Sequence, residues 1–372
     1  MARNPGFADG EFARRLTAWQ RRHGRHDLPW QDTRDPYSIW VSEIMLQQTQ
    51  VATVIPYYRR FVERFPDLAS LAGAPEDEVL ALWSGLGYYS RARNLHRAAR
   101  LVLERHGGAF PRDARAIAGL PGIGRSTAAA IAAFAWGKRG AILDGNVRRV
   151  LARCFGVEGF PGERRVQQRL WELAEALLPR RGIEGYTQAL MDLGATRCTR
   201  GKPRCGDCPL NDRCVAHREG RTAQLPSPRP RRALPQRETA MLLLVRQGEI
   251  LLEKRPPTGI WGGLWCLPET GPGEDAAEVS HCRFGVEVSG FQRLPALEHG
   301  FTHFRLRIHP RLAQVITVPS AAREPGLMWI NLEDALGAAL PAPVRKLIQS
   351  QCSKFMVQSS RFKVQSSKSR AG

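Results

Sequence analysis

No window of the 372 residues approaches eighteen uninterrupted apolar positions, so no membrane-spanning helix is expected. The opening Met1-Ala2-Arg3-Asn4-Pro5 lacks the apolar stretch and small-residue cleavage site of a secretory leader, which predicts a cytoplasmic chain. Carboxylates are scarce against cations: 35 Asp and Glu face 55 Lys and Arg, a formal charge of +20. That balance excludes an acidic, self-solvating chain and points to a polyanionic partner, nucleic acid first. An anionic membrane surface is the weaker alternative, because no basic amphipathic anchor stands out. Disulfides are not expected either, since in a reducing compartment the eight cysteines read as ligands or buried thiols. What is present in quantity is apolar surface: 43% hydrophobic residues suffice for the cores of two domains.

Residues 9–217 read as mostly helical, with apolar residues three and four apart and breaks at Pro or Gly. Asp35-Pro36 predicts a helix start, Asp35 as N-cap and Pro36 in the first turn, running on through Leu46. Further helices are expected near 76–84, 90–106, 113–118, 126–136, 146–154, 165–178 and 184–192. Residues 218–237, with Arg218, Arg221, Pro226, Pro228, Arg229, Pro230, Arg231, Arg232 and Pro235, form a stiff basic connector that either lies on phosphates or is simply solvated. From Thr239 the period changes to strands. Met241–Val245 and Ile250–Leu252 flank a turn at Gln247-Gly248. Phe304, Leu306 and Ile308 alternate with Arg305, Arg307 and His309, and Arg311–Val318 is expected to pair with that strand. Helices near 331–339 and 343–350 close a small α/β domain over 238–350. Residues 351–372 carry an imperfect repeat, Lys354–Ser360 and Arg361–Ser367, and are expected to be a disordered basic tail.

Leu120-Pro121-Gly122-Ile123-Gly124 is a turn that opens a helix and can aim backbone N–H groups at a phosphate. Gly122 and Gly124 would allow close approach, although the same pair also suits an ordinary helix–helix turn. Asp144, twenty positions after Gly124, precedes Asn146-Val147-Arg148 and can serve as a helix N-cap, as a carboxylate facing bound nucleic acid, or as both. Cys198, Cys205, Cys208 and Cys214 lie within seventeen residues as C-x6-C-x2-C-x5-C. A zinc ribbon offers two Cys-x2-Cys pairs and this loop has one, so the spacing leans to a four-iron cluster and leaves zinc as the alternative. Cys154, Cys266, Cys282 and Cys352 have no such company and read as buried or incidental thiols. Arg200, Lys202 and Arg204 on the loop are candidate phosphate contacts rather than solubilising charges. Glu43 has Ile39, Trp40, Leu46 and Gln47 as its helical neighbours. That mostly apolar face raises a carboxyl pKa and suits a general acid near neutrality, whereas a lone helical Glu is ordinarily an exposed charge.

The hairpin, Asp144 and the four-cysteine loop together resemble the helix-hairpin-helix DNA glycosylases of the endonuclease III superfamily. Val41-Ser-Glu-Ile-Met-Leu-Gln-Gln-Thr-Gln50 and Gly85-Leu-Gly-Tyr-Tyr-Ser-Arg-Ala92 narrow the similarity to the adenine DNA glycosylase branch, strongly from about Leu28 to Cys214 and more weakly beyond. The resemblance implies a mostly α fold: a glycosylase domain over 1–217 with a four-iron, four-sulfur (4Fe-4S) cluster loop at 198–214, then a small Nudix-like α/β domain. It implies a monomeric base-excision enzyme acting on double-stranded DNA with 8-oxoguanine:adenine or guanine:adenine mispairs, and no membrane partner.

The same resemblance assigns residue roles. Glu43 would protonate the flipped adenine at N7, and Asp144 would stabilise the oxocarbenium-like C1′. Trp30, Leu46 and Gln188 match pocket positions. Ser126 stands with them where related lyases carry a Schiff-base lysine, so little strand cleavage is expected; nothing in the sequence places Lys138 as a substitute. Gln48 and Tyr88 match residues that fill the vacated stack and wedge beside the lesion, and Arg91 is a further DNA-contact candidate. Phe301-Thr302-His303 matches the lesion-reading loop, often Phe-Ser-His, with the hydroxyl kept. Glu269, Glu274, Asp275 and Glu278 are scattered rather than arranged as a magnesium-holding Nudix box, so pyrophosphohydrolase activity is not expected. Two rivals remain. One is a bifunctional glycosylase/lyase of oxidised pyrimidines, opposed by Ser126. The other is a non-catalytic iron–sulfur DNA-binding or redox-sensing protein, opposed by the Glu43/Asp144 pair.

Overall fold

The computed structural model of the chain describes residues 7–230, 233–318 and 325–352. Of the disordered tail expected at 351–372, Gln351 and Cys352 are instead helical, and residues 353–372, with Arg231 and Arg232 of the connector, lie outside the described residues. Two compact units divide the rest. One takes the described residues of Met1–Gly73 and Asn94–Arg231, the other those of Ala74–Arg93 and Arg232–Gly372. Residues 74–93, read from the sequence with the helical domain, therefore cluster with the second unit.

The helices in chain order are α1 (Glu11–His23), α2 (Pro36–Leu46), α3 (Val51–Arg64), α4 (Leu68–Gly73), α5 (Glu76–Trp83), α6 (Ser90–His106), α7 (Ala114–Ala118), α8 (Arg125–Trp136), α9 (Gly145–Cys154), α10 (Arg164–Ala176), α11 (Ile183–Thr196) and α12 (Val215–Arg218). Of these, α5 lies in the second unit and the unit boundary falls inside α6. Helix α2 starts where its cap requires: Asp35 accepts from the Tyr37 and Ser38 N–H groups at 3.3 and 2.8 Å, and Pro36 opens the first turn. It is buried nearly all round, through Tyr37, Ile39, Trp40, Val41, Ile44 and Met45, so any polar side chain on it enters an apolar setting.

Helix α8 is alanine-rich because it runs through the interior, with Ala128–Ala133 all buried. It stops at Gly137, left-handed at φ 64°, with the Gly137 and Lys138 N–H groups donating to the Ala133 and Ala132 carbonyls. The core joins α1, α8, α9, α10 and α11 through residues such as Phe12, Leu16, Leu143, Leu151, Leu170, Tyr186 and Leu190. Each large side chain so buried contributes about 1.5–3 kcal/mol before entropy is charged. Helices α9 and α11 pack tightly where Gly194 meets Asn146; a Cβ on Gly194 would lie 2.5 Å from the Asn146 Cβ.

In the second unit a mixed sheet is built from β1 (Gln236–Arg246), β2 (Glu249–Lys254), β3 (Trp265–Cys266), β4 (Glu269–Thr270), β5 (Glu287–Val288), β6 (Gln292–Arg293), β7 (Leu297–Gly300), β8 (Arg305–Thr317) and β9 (Leu327–Asn331). Its spine runs β3-β2-β1-β8-β5, with β4 on β1, β6 and β7 on β8, and β9 on β2. Among the described residues only β1 and β8 pair in parallel, from Gln236 opposite Arg305 to Val245 opposite Gln314. Central β1 buries Ala240–Val245 completely, as a strand covered on both faces must. Helices α13 (Ala276–Phe284), α14 (Leu332–Ala335) and α15 (residues 342–352) complete the unit. One expectation fails here. Arg311–Val318 does not pair back on Phe304–His309; residues 305–317 form a single strand. Pro310 sits in mid-strand because its fixed φ suits extended chain and its carbonyl still accepts the Leu294 N–H.

Candidate active site

A cavity of about 330 Å³ opens in the helical unit, lined among others by Trp30, Glu43, Leu46 and Gln188. Four residues singled out separately in the sequence are thus brought to one wall. Burial pushes the Glu43 carboxyl up to about 8, and the neighbouring Asp144 charge adds to the shift. Asp144 is the N-cap of α9, its Oδ1 accepting the Val147 N–H at 2.8 Å. Burial raises its pKa, and the cap hydrogen bonds, with the Arg149 charge, pull the other way. The positive end of the α9 dipole adds to that pull toward the ionised form and opposes the burial that raises the pKa.

Ser126 and Asp144 are not among the cavity-lining residues. Ser126 was placed in the pocket by resemblance; its hydroxyl instead accepts the Leu143 N–H at 2.9 Å and secures the backbone one residue before Asp144. Gln188 is oriented by a partner that sequence reasoning missed. Its Nε2 donates to Asp192 Oδ1 at 3.0 Å, and fully buried Asp192 is clamped by Arg25, whose N–H donates to Oδ2 at 3.0 Å and whose Nε donates to Oδ1 at 2.7 Å. Gln188 is left with its carbonyl as the acceptor it can offer the cavity. Arg25 and Asp192 are 167 residues apart, and no local pattern links them.

Around the hairpin the two glycines differ. Gly122 needs its freedom twice over, with φ 78° and a built Cβ 2.8 Å from the Asn94 Cβ. Gly124 is the extended N-cap of α8 and has open space above its Cα, so only an approaching ligand would exclude a side chain there. Gln48, between α2 and α3, is exposed and left-handed at φ 58°; Tyr88 is 44% exposed and left-handed at φ 48°. Such backbone costs of order 1 kcal/mol or more in non-glycine residues and clusters at functional positions. Arg91 is corrected as a DNA contact. It is buried, its guanidinium lies over the Trp83 and Tyr88 rings, and it donates to the Leu86 and Gly87 carbonyls.

Cys198, Cys205, Cys208 and Cys214 line one small cavity of about 30 Å³. Four thiols around one cavity make an all-sulfur donor set, which fits an iron–sulfur cluster. Buried Arg153 faces them, donating to Cys198 Sγ at 3.4 Å and to the Thr199 and Leu225 carbonyls at 2.7 and 2.8 Å, and its charge favours thiolates. Arg149 ties the same loop to α9: its Nε donates to the Cys198 carbonyl at 2.6 Å and its Nη2 to Asn146 Oδ1 at 2.8 Å. Cys154 is not solitary as expected, for its thiol hydrogen-bonds Cys214, the main reason the latter is lowered to about 7. Arg200 and Lys202 are exposed, while Arg204 spends one Nη on the Thr196 carbonyl at 2.6 Å.

In the second unit Tyr88 shares a cavity of about 700 Å³ with Phe301, Thr302 and His303, walled by Trp261 and His299. Phe301 stacks on Phe304 at 4.5 Å, and Thr302 Oγ1 lies 3.4 Å from His303 Nδ1. Trp261, at φ 54° and missed from sequence, packs on Phe301 and His299. Three of the four acids considered for magnesium are otherwise engaged: Glu269 pairs with Arg255, Glu274 accepts from Thr270 and the Gly271 N–H, and Asp275 caps α13.

Residues 41–176 match the HhH-GPD superfamily of base excision DNA repair proteins, 198–214 the iron–sulfur binding domain of endonuclease III, and 239–350 the NUDIX domain. The chain is 35% identical over 340 residues to the adenine DNA glycosylase of Buchnera aphidicola from Acyrthosiphon pisum, covering 91% of this chain and 97% of that one. It is 34% identical to the adenine DNA glycosylase of Homo sapiens, covering 91% and 73%. Among solved structures, a thermostable thymine-DNA glycosylase superposes with TM-score 0.51 and 33% identity, over 56% of this chain and 95% of that one. The four cysteines are accordingly the seat of an iron–sulfur cluster. By its helical glycosylase unit, its cluster loop and its Nudix-like unit, the chain belongs to the adenine DNA glycosylase family of base excision repair enzymes.

Proposed function

We propose that this chain, acting as a monomer, hydrolyses the N-glycosidic bond of adenine paired with 8-oxoguanine or guanine in duplex DNA, and leaves the strand intact. The observation that carries the reading is Glu43: a carboxyl with pKa about 8 on the wall of a cavity shared with Trp30, Leu46 and Gln188, beside Asp144. Adenine is a poor leaving group until protonated. Glu43 gives its proton to N7 of the flipped base, the C1′–N9 bond breaks with both electrons going to adenine, and C1′ becomes oxocarbenium-like. Asp144, held by its cap hydrogen bond, stabilises that cation as a fixed carboxylate or a transient ester. Water then adds at C1′, and the proton it releases restores Glu43. The Gln188 carbonyl is available to the exocyclic amine of adenine.

Partner reading falls to the second unit, where Tyr88 and Phe301–His303 frame a cavity wide enough for a purine edge. Gly122, Gly124, Gln48, Arg200 and Lys202 would hold the backbone and the opened stack. The cluster residues Cys198, Cys205, Cys208 and Cys214 would hold the cluster, which when bound supplies a rigid cross-link of the loop. Ser126 supports the absence of lyase chemistry, since it cannot form a Schiff base and its hydroxyl is engaged with Leu143. The test is a duplex with one 8-oxoguanine:adenine pair. Free adenine should appear first, and strand breaks only after alkali or heat. Unreacted DNA with folded, cluster-loaded protein would refute the activity; efficient borohydride trapping would refute the monofunctional assignment.

A further inference from the structure

One concave surface of the helical unit has no part in that chemistry. A cavity of about 640 Å³ beside α1 and the α10–α11 connection is lined by Arg14, Arg21, Arg139, Arg180 and Arg181, with Asp9 the single carboxylate on its wall. None of the five guanidiniums forms an ion pair among the described residues. Two are aimed by neutral carbonyls: Arg139 donates to Pro179 at 3.1 Å and Leu178 at 3.2 Å, and Arg14 to Asp9 at 3.1 Å. Like charges gathered without counter-charge repel, and an oxyanion relieves that repulsion. Gly10 and Gly182, the left-handed N-caps of α1 and α11 with no side-chain cap, also line the cavity and add the positive ends of two helix dipoles. Among the described residues on the wall the only aromatic is Phe12, whose ring is buried in the core and offers a base nothing to stack on. The chemistry selects phosphate and not nucleobase.

We propose that this cavity is a second phosphate-binding site, engaging backbone oxyanions of nucleic acid apart from the Gly122–Gly124 hairpin. Gln20 and Gly185 line both this cavity and that of Glu43, so the two share a wall and could be occupied together. The site would add a sequence-independent hold on DNA.

The test compares Arg180→Ala/Arg181→Ala, exposed residues of the site, with Arg164→Ala/Arg165→Ala, an equally exposed pair at the start of α10 that removes the same charge elsewhere. Duplex binding by fluorescence anisotropy is followed between about 50 and 200 mM salt. The site variant should lower the slope of log K against log salt by about 1–2, alike for matched and mispaired duplexes, while single-turnover adenine release at saturating DNA is unchanged. In a second arm, calorimetric titration with inorganic tripolyphosphate is run on both variants. Binding abolished by the site variant with its DNA slope unaltered would keep the site and assign it to free oligophosphates. An unaltered slope together with no tripolyphosphate binding, or the same loss in both variants, overturns the proposal. Because the readout is binding, it stands apart from any failure of the proposed excision chemistry.

Discussion

Replacing Glu43 with glutamine separates what the residue does for chemistry from what it costs the fold. In the native protein the carboxyl has a pKa of about 8, raised first by burial and then by Asp144, against 4.5 when free in water. A carboxyl whose folded pKa is raised contributes its full stability below the unfolded value and loses it as pH climbs toward the folded one. At pH 7 the unfolded chain has released this proton and the folded chain has kept it. The penalty is therefore about 2.5 pH units at 1.36 kcal/mol each, or about 3 kcal/mol, and under about 1 kcal/mol at pH 5. Glutamine has the same shape and no charge to lose. Glu43→Gln should thus be inactive in single-turnover adenine release, by at least about 100-fold, yet melt several degrees above the parent at pH 7, with the advantage shrinking toward pH 5. Parallel thermal melts from pH 5 to 8 with cluster absorbance monitored would measure it. Turnover of the parent should in turn fall as pH rises through about 8, where the acid form is lost. A pH-independent difference in melting, or a variant that still turns over, would refute the reasoning.

Other consequences follow from the same contacts. Ser126→Ala leaves the buried Leu143 N–H without its acceptor, and should cost about 1–3 kcal/mol in urea unfolding while slowing adenine release through a displaced Asp144. Gly194→Ala forces a methyl to within 2.5 Å of the Asn146 Cβ; overpacking of about 1–3 kcal/mol and a drop in turnover larger than any change in DNA affinity are expected. Arg153→Ala removes a buried cation that holds Cys198 Sγ and three loop carbonyls, and purified protein should show sub-stoichiometric iron and weakened visible absorbance before any loss of helicity.

Helices that carry their own stop and start signals were legible to within a residue or two. Asp35-Pro36 opened α2, and Gly137 closed α8, because capping is a local affair of a few hydrogen bonds. The short strands β3 to β7 and β9 were not, since two to five residues held by partners far along the chain leave no periodicity to read. The fused strand β8 was misread for the related reason that a proline in mid-strand looks like a break until its neighbours are known. The carboxyls proposed for catalysis and the four cysteines could be named in advance because they sit in compact motifs. The Arg25–Asp192–Gln188 clamp and the five-arginine cavity could not, because their members are gathered from distant segments.

Sequence alone determined the elements of this protein: the thiolates at cluster spacing, the excess of cations, the serine where a lyase would carry lysine, and an acidic residue set among apolar helical neighbours. All but the serine, whose meaning came from the resemblance, are properties of residue type and short spacing. Tertiary structure alone decided how they act. It buried Glu43 beside Asp144 so that the carboxyl keeps its proton, turned Ser126 from pocket wall to backbone support, and joined the cluster loop to α9 through Arg149 and Arg153. A pKa and a hydrogen-bond partner depend on what lies across a few ångströms of space, and chain order does not contain that distance.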